Sequence, residues 1–174
     1  MPDATLDEAI REAMATAPVG IVIYDTLELH HPAFTAPIRV VQDEADLDAR
    51  LEAGAPVDAG LIVTFRRYAF DLVPPEVFSG VPQMTLEIDN VDREIGVQLE
   101  AANREGSPIV MIYRLYRSGQ LETGPSNLPP MKMELKTVTV TPMRVRATAG
   151  FRDLLNRVFP AVEYSLERFP GLAQ

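Results

Sequence analysis

The sequence predicts a mainly β chain with flanking helices, an α+β arrangement of one domain with attached arms. Three observations predict it. Residues 20–150 consist largely of short runs rich in β-branched and aromatic side chains, several of them alternating with period two. Clear helical apolar stripes are few, the best at 5–16 and 91–102. A length of 174 residues suits one core that needs no covalent staples. The expected division is an N-terminal helix or arm over 1–18, a β domain over 19–150 and a C-terminal docking segment over 151–174.

The elements follow in order. Thr5 and Glu8 have capping-box spacing, and Leu6, Ile10 and Met14 then share one narrow face. That helix packs on its own domain or reaches a neighbouring subunit, and Pro18 and Gly20 end it. Residues 20–29 read as a strand, and Ile38–Val41 as a second. Leu47 and Leu51, four apart in the polar stretch 43–51, suggest a short helix before Gly54-Ala55-Pro56. Residues 61–72 form a third strand, stopped by Pro74-Pro75. Met84, Leu86 and Ile88 alternate with Thr85 and Glu87, the clearest half-buried strand.

Asp89 or Asn90 caps the central helix, whose stripe is Val91, Ile95, Leu99 and Ala102, with Gly106 as its stop. The strand over 109–116 is apolar on both faces, which places it centrally or gives its outer face a cover. Residues 117–130 form a long loop rich in Gly and Pro. Beyond it, Met131, Met133 and Leu135 share one parity and Val138 and Val140 the other, so a bulge or a bend near Thr137 is expected. The next strand alternates Met143, Val145 and Ala147 with Arg144, Arg146 and Thr148. An apolar C-terminal segment with Tyr164, Phe169 and Leu172 must fold back or dock on another chain.

Composition excludes several chemistries. The chain has no cysteine, so it has no disulfide, thiolate metal site or Cys nucleophile. A net charge of -9, with 25 acids against 16 bases, opposes broad nucleic-acid binding. Only two of the bases are lysines, Lys132 and Lys136. No apolar run approaches a membrane span, and the start lacks a basic, apolar signal pattern, so a soluble protein beginning in the cytoplasm is expected. No phosphate loop, nucleophile elbow or His-Glu-x-x-His motif occurs. His30 and His31 are adjacent and point to opposite strand faces, although Glu28 and one histidine share a face at i and i+2. Acids such as Asp43, Glu44, Asp46 and Asp48 read as a solvated face. The expectation is no enzyme, no cofactor and no metal.

Many short runs together resemble a known family. They are Leu27-Glu28-Leu29-His30-His31-Pro32-Ala33-Phe34, Pro37-Ile38-Arg39-Val40-Val41, Leu51-Glu52-Ala53-Gly54-Ala55-Pro56-Val57, Ile88-Asp89-Asn90-Val91-Asp92-Arg93-Glu94 and Ala149-Gly150-Phe151-Arg152-Asp153-Leu154-Leu155. The set closes with Glu167-Arg168-Phe169-Pro170-Gly171-Leu172. From about residue 20 onward the chain resembles a tailed-phage tail-tip protein family of unknown function, encoded in siphophage-type tail cassettes after the tape measure. That resemblance implies a tail-tube-like β-sandwich or barrel with one central helix. It implies a distal tail or hub adaptor in the virion, made in the host cytoplasm and arranged as a ring that DNA crosses. A homo-hexamer is the favoured copy number, from one tube domain per chain, with a trimeric hub as the alternative. A receptor- or carbohydrate-binding module is a further alternative. The implied partners are the tail tube protein, the hub or host-specificity protein and the tape measure. Interface candidates are Leu6, Ile10 and Met14 at the N-terminus, Gly124, Pro125 and Asn127 in the loop, Arg144 and Arg146 as forks for carboxylates, and Tyr164, Phe169 and Leu172 at the C-terminus.

Overall fold

A computed structural model describes residues 20–73, 83–89 and 94–151, together with residue 12. The expected N-terminal helix with Leu6, Ile10 and Met14, and the C-terminal segment with Tyr164, Phe169 and Leu172, lie outside the described residues. So do Asn90 and Val91, the expected cap and first stripe residue of the central helix.

Among the described residues the chain is mainly β: a mixed nine-stranded sheet, not closed into a barrel, with a short helix beside it. The strands are β1 (Ile23–His30), β2 (Ile38–Val41), β3 (Leu47–Arg50), β4 (Ile62–Arg67), β5 (Phe70–Val73), β6 (Gln83–Asp89), β7 (Val110–Arg117), β8 (Met131–Val140) and β9 (Arg144–Gly150). The helix α1 (Glu94–Glu105) lies between β6 and β7. Spatial order is β3-β4-β2-β1-β7-β8-β9-β6-β5. All neighbours are antiparallel except β2 and β4, which run parallel through Val40↔Arg66 and Val41↔Arg67.

Period-two burial explains the strands. Leu27 and Leu29, Val40, Met84, Leu86 and Ile88, Met111, Met133, and Val145, Ala147 and Ala149 all turn into one core. Ile95, Leu99 and Ala102 of α1 complete it, and the helix packs against β8. Gly106, at a φ of 71°, ends the helix in the left-handed conformation that glycine adopts without strain. β7 sits in the middle of the sheet between β1 and β8, as its two apolar faces require.

Two sequence expectations are corrected. Residues 47–50 are strand β3, not a helix. Leu47, Ala49 and Leu51 are all buried, while Asp48 is exposed. A separation of four residues returns to the same face in a strand as well as in a helix, and the small Ala49 between the two leucines masked the alternation. Residues 61–72 form two strands, not one. The chain leaves β4 after Arg67, crosses at Tyr68 and Ala69, and joins the opposite end of the sheet as β5.

That crossing sets the shape. β4 and β5 stand seven places apart, roughly 34 Å in a flat sheet. Their two-residue connection spans at most about 11 Å. The sheet therefore curls until its flanks approach. Tyr68 N donates to Val41 O at 3.0 Å, and Asp89 N donates to Ala69 O at 3.0 Å, so the crossing is tied to both flanks.

The outer face is divided. On the β8-β9-β6 half it is polar and exposed. On the β2-β1-β7 half it is covered by the β3–β4 hairpin, which forms a second core of Val41, Leu47, Ala49, Leu51, Phe65 and Tyr116. The bulge appears where parity changes: Leu135 faces Ala149 and Thr137 faces Thr148, leaving Lys136 extra.

The 118–130 loop folds back on the sheet. Asn127 is buried; its Oδ1 accepts Leu115 N at 2.9 Å and its Nδ2 donates to Tyr113 O at 3.1 Å. Asn127→Ala leaves a buried strand amide unsatisfied and is expected to cost about 1–3 kcal/mol. Limited proteolysis should then cut first within 118–130; a digestion pattern like wild type would show that the loop is held elsewhere.

Candidate functional site

The largest concentration of buried chemistry lies on the outer face of β1 and β7, beneath the hairpin. Strand alternation places Thr26 and Glu28 on that face, opposite Arg114 of β7 and Arg39 of β2. Glu28 and Arg114 have fully buried side chains. Glu28 accepts Arg114 Nη1 on Oε2 and Arg39 Nε on Oε1 at 2.9 Å. Arg114 then holds Glu52 in a bidentate pair along one edge of its guanidinium, Nε to Oε2 at 2.7 Å and Nη2 to Oε1 at 2.8 Å. Arg39 Nη2 donates to Asp58 Oδ2 at 2.7 Å. Thr26 Oγ1 donates to Arg114 O at 3.0 Å.

The electrostatics follow from this packing. Burial pushes the Glu28 carboxyl up. His30, Arg114 and Arg39 outweigh it and hold the group at about 2. His30 Nε2 stands 3.2 Å from Glu28 Oε1 and lowers the pKa of that carboxyl both as a neighbouring donor and through charge. Burial lowers the Arg114 pKa, yet its bonds and charges from Glu52 and Glu28 raise it overall. Burial raises the Tyr116 phenol, which donates to Arg50 O at 3.1 Å. Glu28, Arg114 and Tyr116 each keep one protonation state near neutrality, which suits a structural ionic centre better than proton transfer.

Among the described residues, His31 and Ser107 form a pair that resembles a nucleophile and base. His31 Nε2 is 2.6 Å from Ser107 Oγ and 3.2 Å from Ser107 O. Its Nδ1 accepts Ala33 N–H at 3.0 Å. The neutral ring therefore carries its proton on Nε2 and donates to Ser107; a base would need that nitrogen free. The pair fastens the end of β1 to the segment between α1 and β7. Among the described residues no group of three or more His, Cys, Asp or Glu stands ready to hold a metal.

The sequence-selected residues are distributed as follows. Gly124, Pro125 and Asn127 are buried in their own loop. Arg144 and Arg146 are exposed and converge within the chain on Glu87, Arg146 Nε reaching Oε2 at 2.9 Å. The bonds from Arg146 and Arg144 hold the Glu87 carboxyl below its usual range. Beside them, an open cleft of about 490 Å³ is lined by Asp43, Glu44, Asp71, Glu87, Asp89 and Arg144. Sequence reasoning missed the ionic centre. Its signal was present: Glu28 between Leu27 and Leu29, and Arg114 between Tyr113 and Leu115, are opposite charges flanked on both sides by apolar neighbours within strands.

These features define a class: a curled, open β-sheet protein with a buried ionic centre and a polar outer face. The family model described as "Domain of unknown function (DUF1833)" matches residues 9–164, and the chain belongs to that family. No curated protein matches it.

Proposed function

We propose that this protein is a structural component of a phage tail tip, a ring-forming distal tail or adaptor subunit with a tail-tube-like fold. The ring joins the tail tube to the hub and host-recognition apparatus and surrounds the path of DNA. The sequence resemblance supports this reading. The structural observation that carries it is the unclosed sheet, which ends in β3 on one flank and β5 on the other with no further strand among the described residues. Unpaired edges invite pairing with another chain, and a closed ring of copies satisfies them. The curled sheet around one helix fits a tube-type subunit. The acidic cleft at Asp71, Glu87 and Asp89 fits a wall that repels phosphate in transit. A hexamer is favoured, with a trimeric hub as the alternative.

Native mass spectrometry with negative-stain imaging tests this. A six-membered ring with an open centre supports the adaptor, and a threefold ring moves the protein to the hub. A monomer at every concentration, together with its absence from purified virions, overturns the proposal.

A further inference from the structure

We infer that the β3–β4 hairpin with its connection, residues 47–67, is a hinged flap, latched over the sheet by two arginine–carboxylate clamps seated on Glu28. The covalent layout allows it. The hairpin is continuous in sequence, internally paired from Leu47↔Phe65 to Arg50↔Ile62, and joined to the rest of the sheet by only two register pairs. The connections at either end, residues 42–46 and 68–69, lie outside the strands.

Ionic bonds supply much of what the short ladder lacks. Glu28, on the sheet side, engages Arg114 and Arg39 at once and leaves each guanidinium a second edge facing the hairpin. Glu52 fills the edge on Arg114 and Asp58 fills the one on Arg39. Both carboxylates belong to the β3–β4 connection; both arginines belong to the sheet. The cut between flap and body therefore passes through two charge-assisted clamps, while Glu28 stays behind between its arginines. The connection is pre-shaped to deliver them. Glu52 O accepts Ala55 N at 3.1 Å and Gly60 N at 3.2 Å, and Asp58 sits at a φ of 55°, unfavourable for most side chains. That strain is held where the Asp58 carboxylate meets Arg39. Arg50 adds a brace to the neighbouring loop, its Nε donating to Glu122 O at 2.7 Å.

The test is hydrogen exchange read by mass spectrometry on the whole chain. In wild type, amides of β3 and β4 should exchange through an opening that leaves β6, β8 and β9 protected. Glu52→Gln with Asp58→Asn keeps side-chain shape, and Asn tolerates the positive φ, so the pair of substitutions removes charge alone. It should accelerate exchange over 47–67 by roughly tenfold to a hundredfold and leave β6, β8 and β9 unchanged. If the double variant does not fold, Asp58→Asn alone carries the same readout with a smaller acceleration. Equal acceleration in every strand, or none over 47–67, overturns the flap.

Discussion

Arg114→Met should lower the stability of this protein by about 3–5 kcal/mol, the largest loss expected from any single change in the ionic centre. Methionine fills most of the arginine volume, so the loss is electrostatic. Glu28 keeps Arg39, but Glu52 loses both of its bonds to the Arg114 fork. For a domain of this size the change corresponds to a fall in Tm of roughly 6–20 °C. Urea titration gives the free energy directly. Glu28→Gln combined with Arg114→Met should cost less than the sum of the single changes, because the first removes the charge that the second strands. A Tm within a few degrees of wild type would mean that water reaches the centre and replaces the guanidinium.

The same centre dictates the acid limb. The Glu28 pKa is depressed in the folded state from 4.5 to about 2. Its contribution is therefore complete above about 4.5 and is lost as pH falls through about 2. Removing Arg114 removes one of the charges that depress it. The acid-unfolding midpoint of Arg114→Met should move to higher pH, read by circular dichroism across that window.

Insertion of one alanine after Lys136 is expected to be as severe, for a reason unrelated to charge. Lys136 is the one extra residue that the β8 bulge already absorbs, so that Met133 and Leu135 before it and Val138 and Val140 after it all face the core. A second extra residue makes every later side chain change face. Two half-buried valines lose part of the roughly 1.5–3 kcal/mol that full burial supplies, and Thr137 and Thr139 turn inward with hydroxyls to satisfy. The sum is a large fraction of the whole stability of a typical domain, roughly 5–15 kcal/mol. Cooperative unfolding should weaken, or the β8–β9 ladder should end at Leu135. Deleting Lys136 instead removes the bulge and restores plain alternation, Leu135 in, Thr137 out and Val138 in, so it should cost far less. Lys136→Ala keeps the residue count and should stay within about 0.5 kcal/mol, as exposed substitutions do. An insertion variant that melts like wild type would show that the bulge absorbs a second residue without penalty.

The sequence by itself determined the local events. Alternation in 84–88, 131–140 and 144–148 set strands, faces and the bulge, because period two is a property of each strand alone. The stripe Ile95, Leu99 and Ala102 with Gly106 set the helix and its end for the same reason. Tertiary structure alone decided partnerships. Nothing within 61–72 says that the chain changes flanks at Tyr68 and Ala69, since the split depends on which remote edges, β2 and β6, have places to fill. Nothing within 43–51 separates helix from strand, since Leu47 and Leu51 share a face in both and only Phe65 and Tyr116 select the strand. The ionic centre joins residues up to 86 positions apart. A charge set between apolar neighbours in a strand announces that a partner exists, but its identity follows from the fold, because desolvation is a cost set by three-dimensional surroundings.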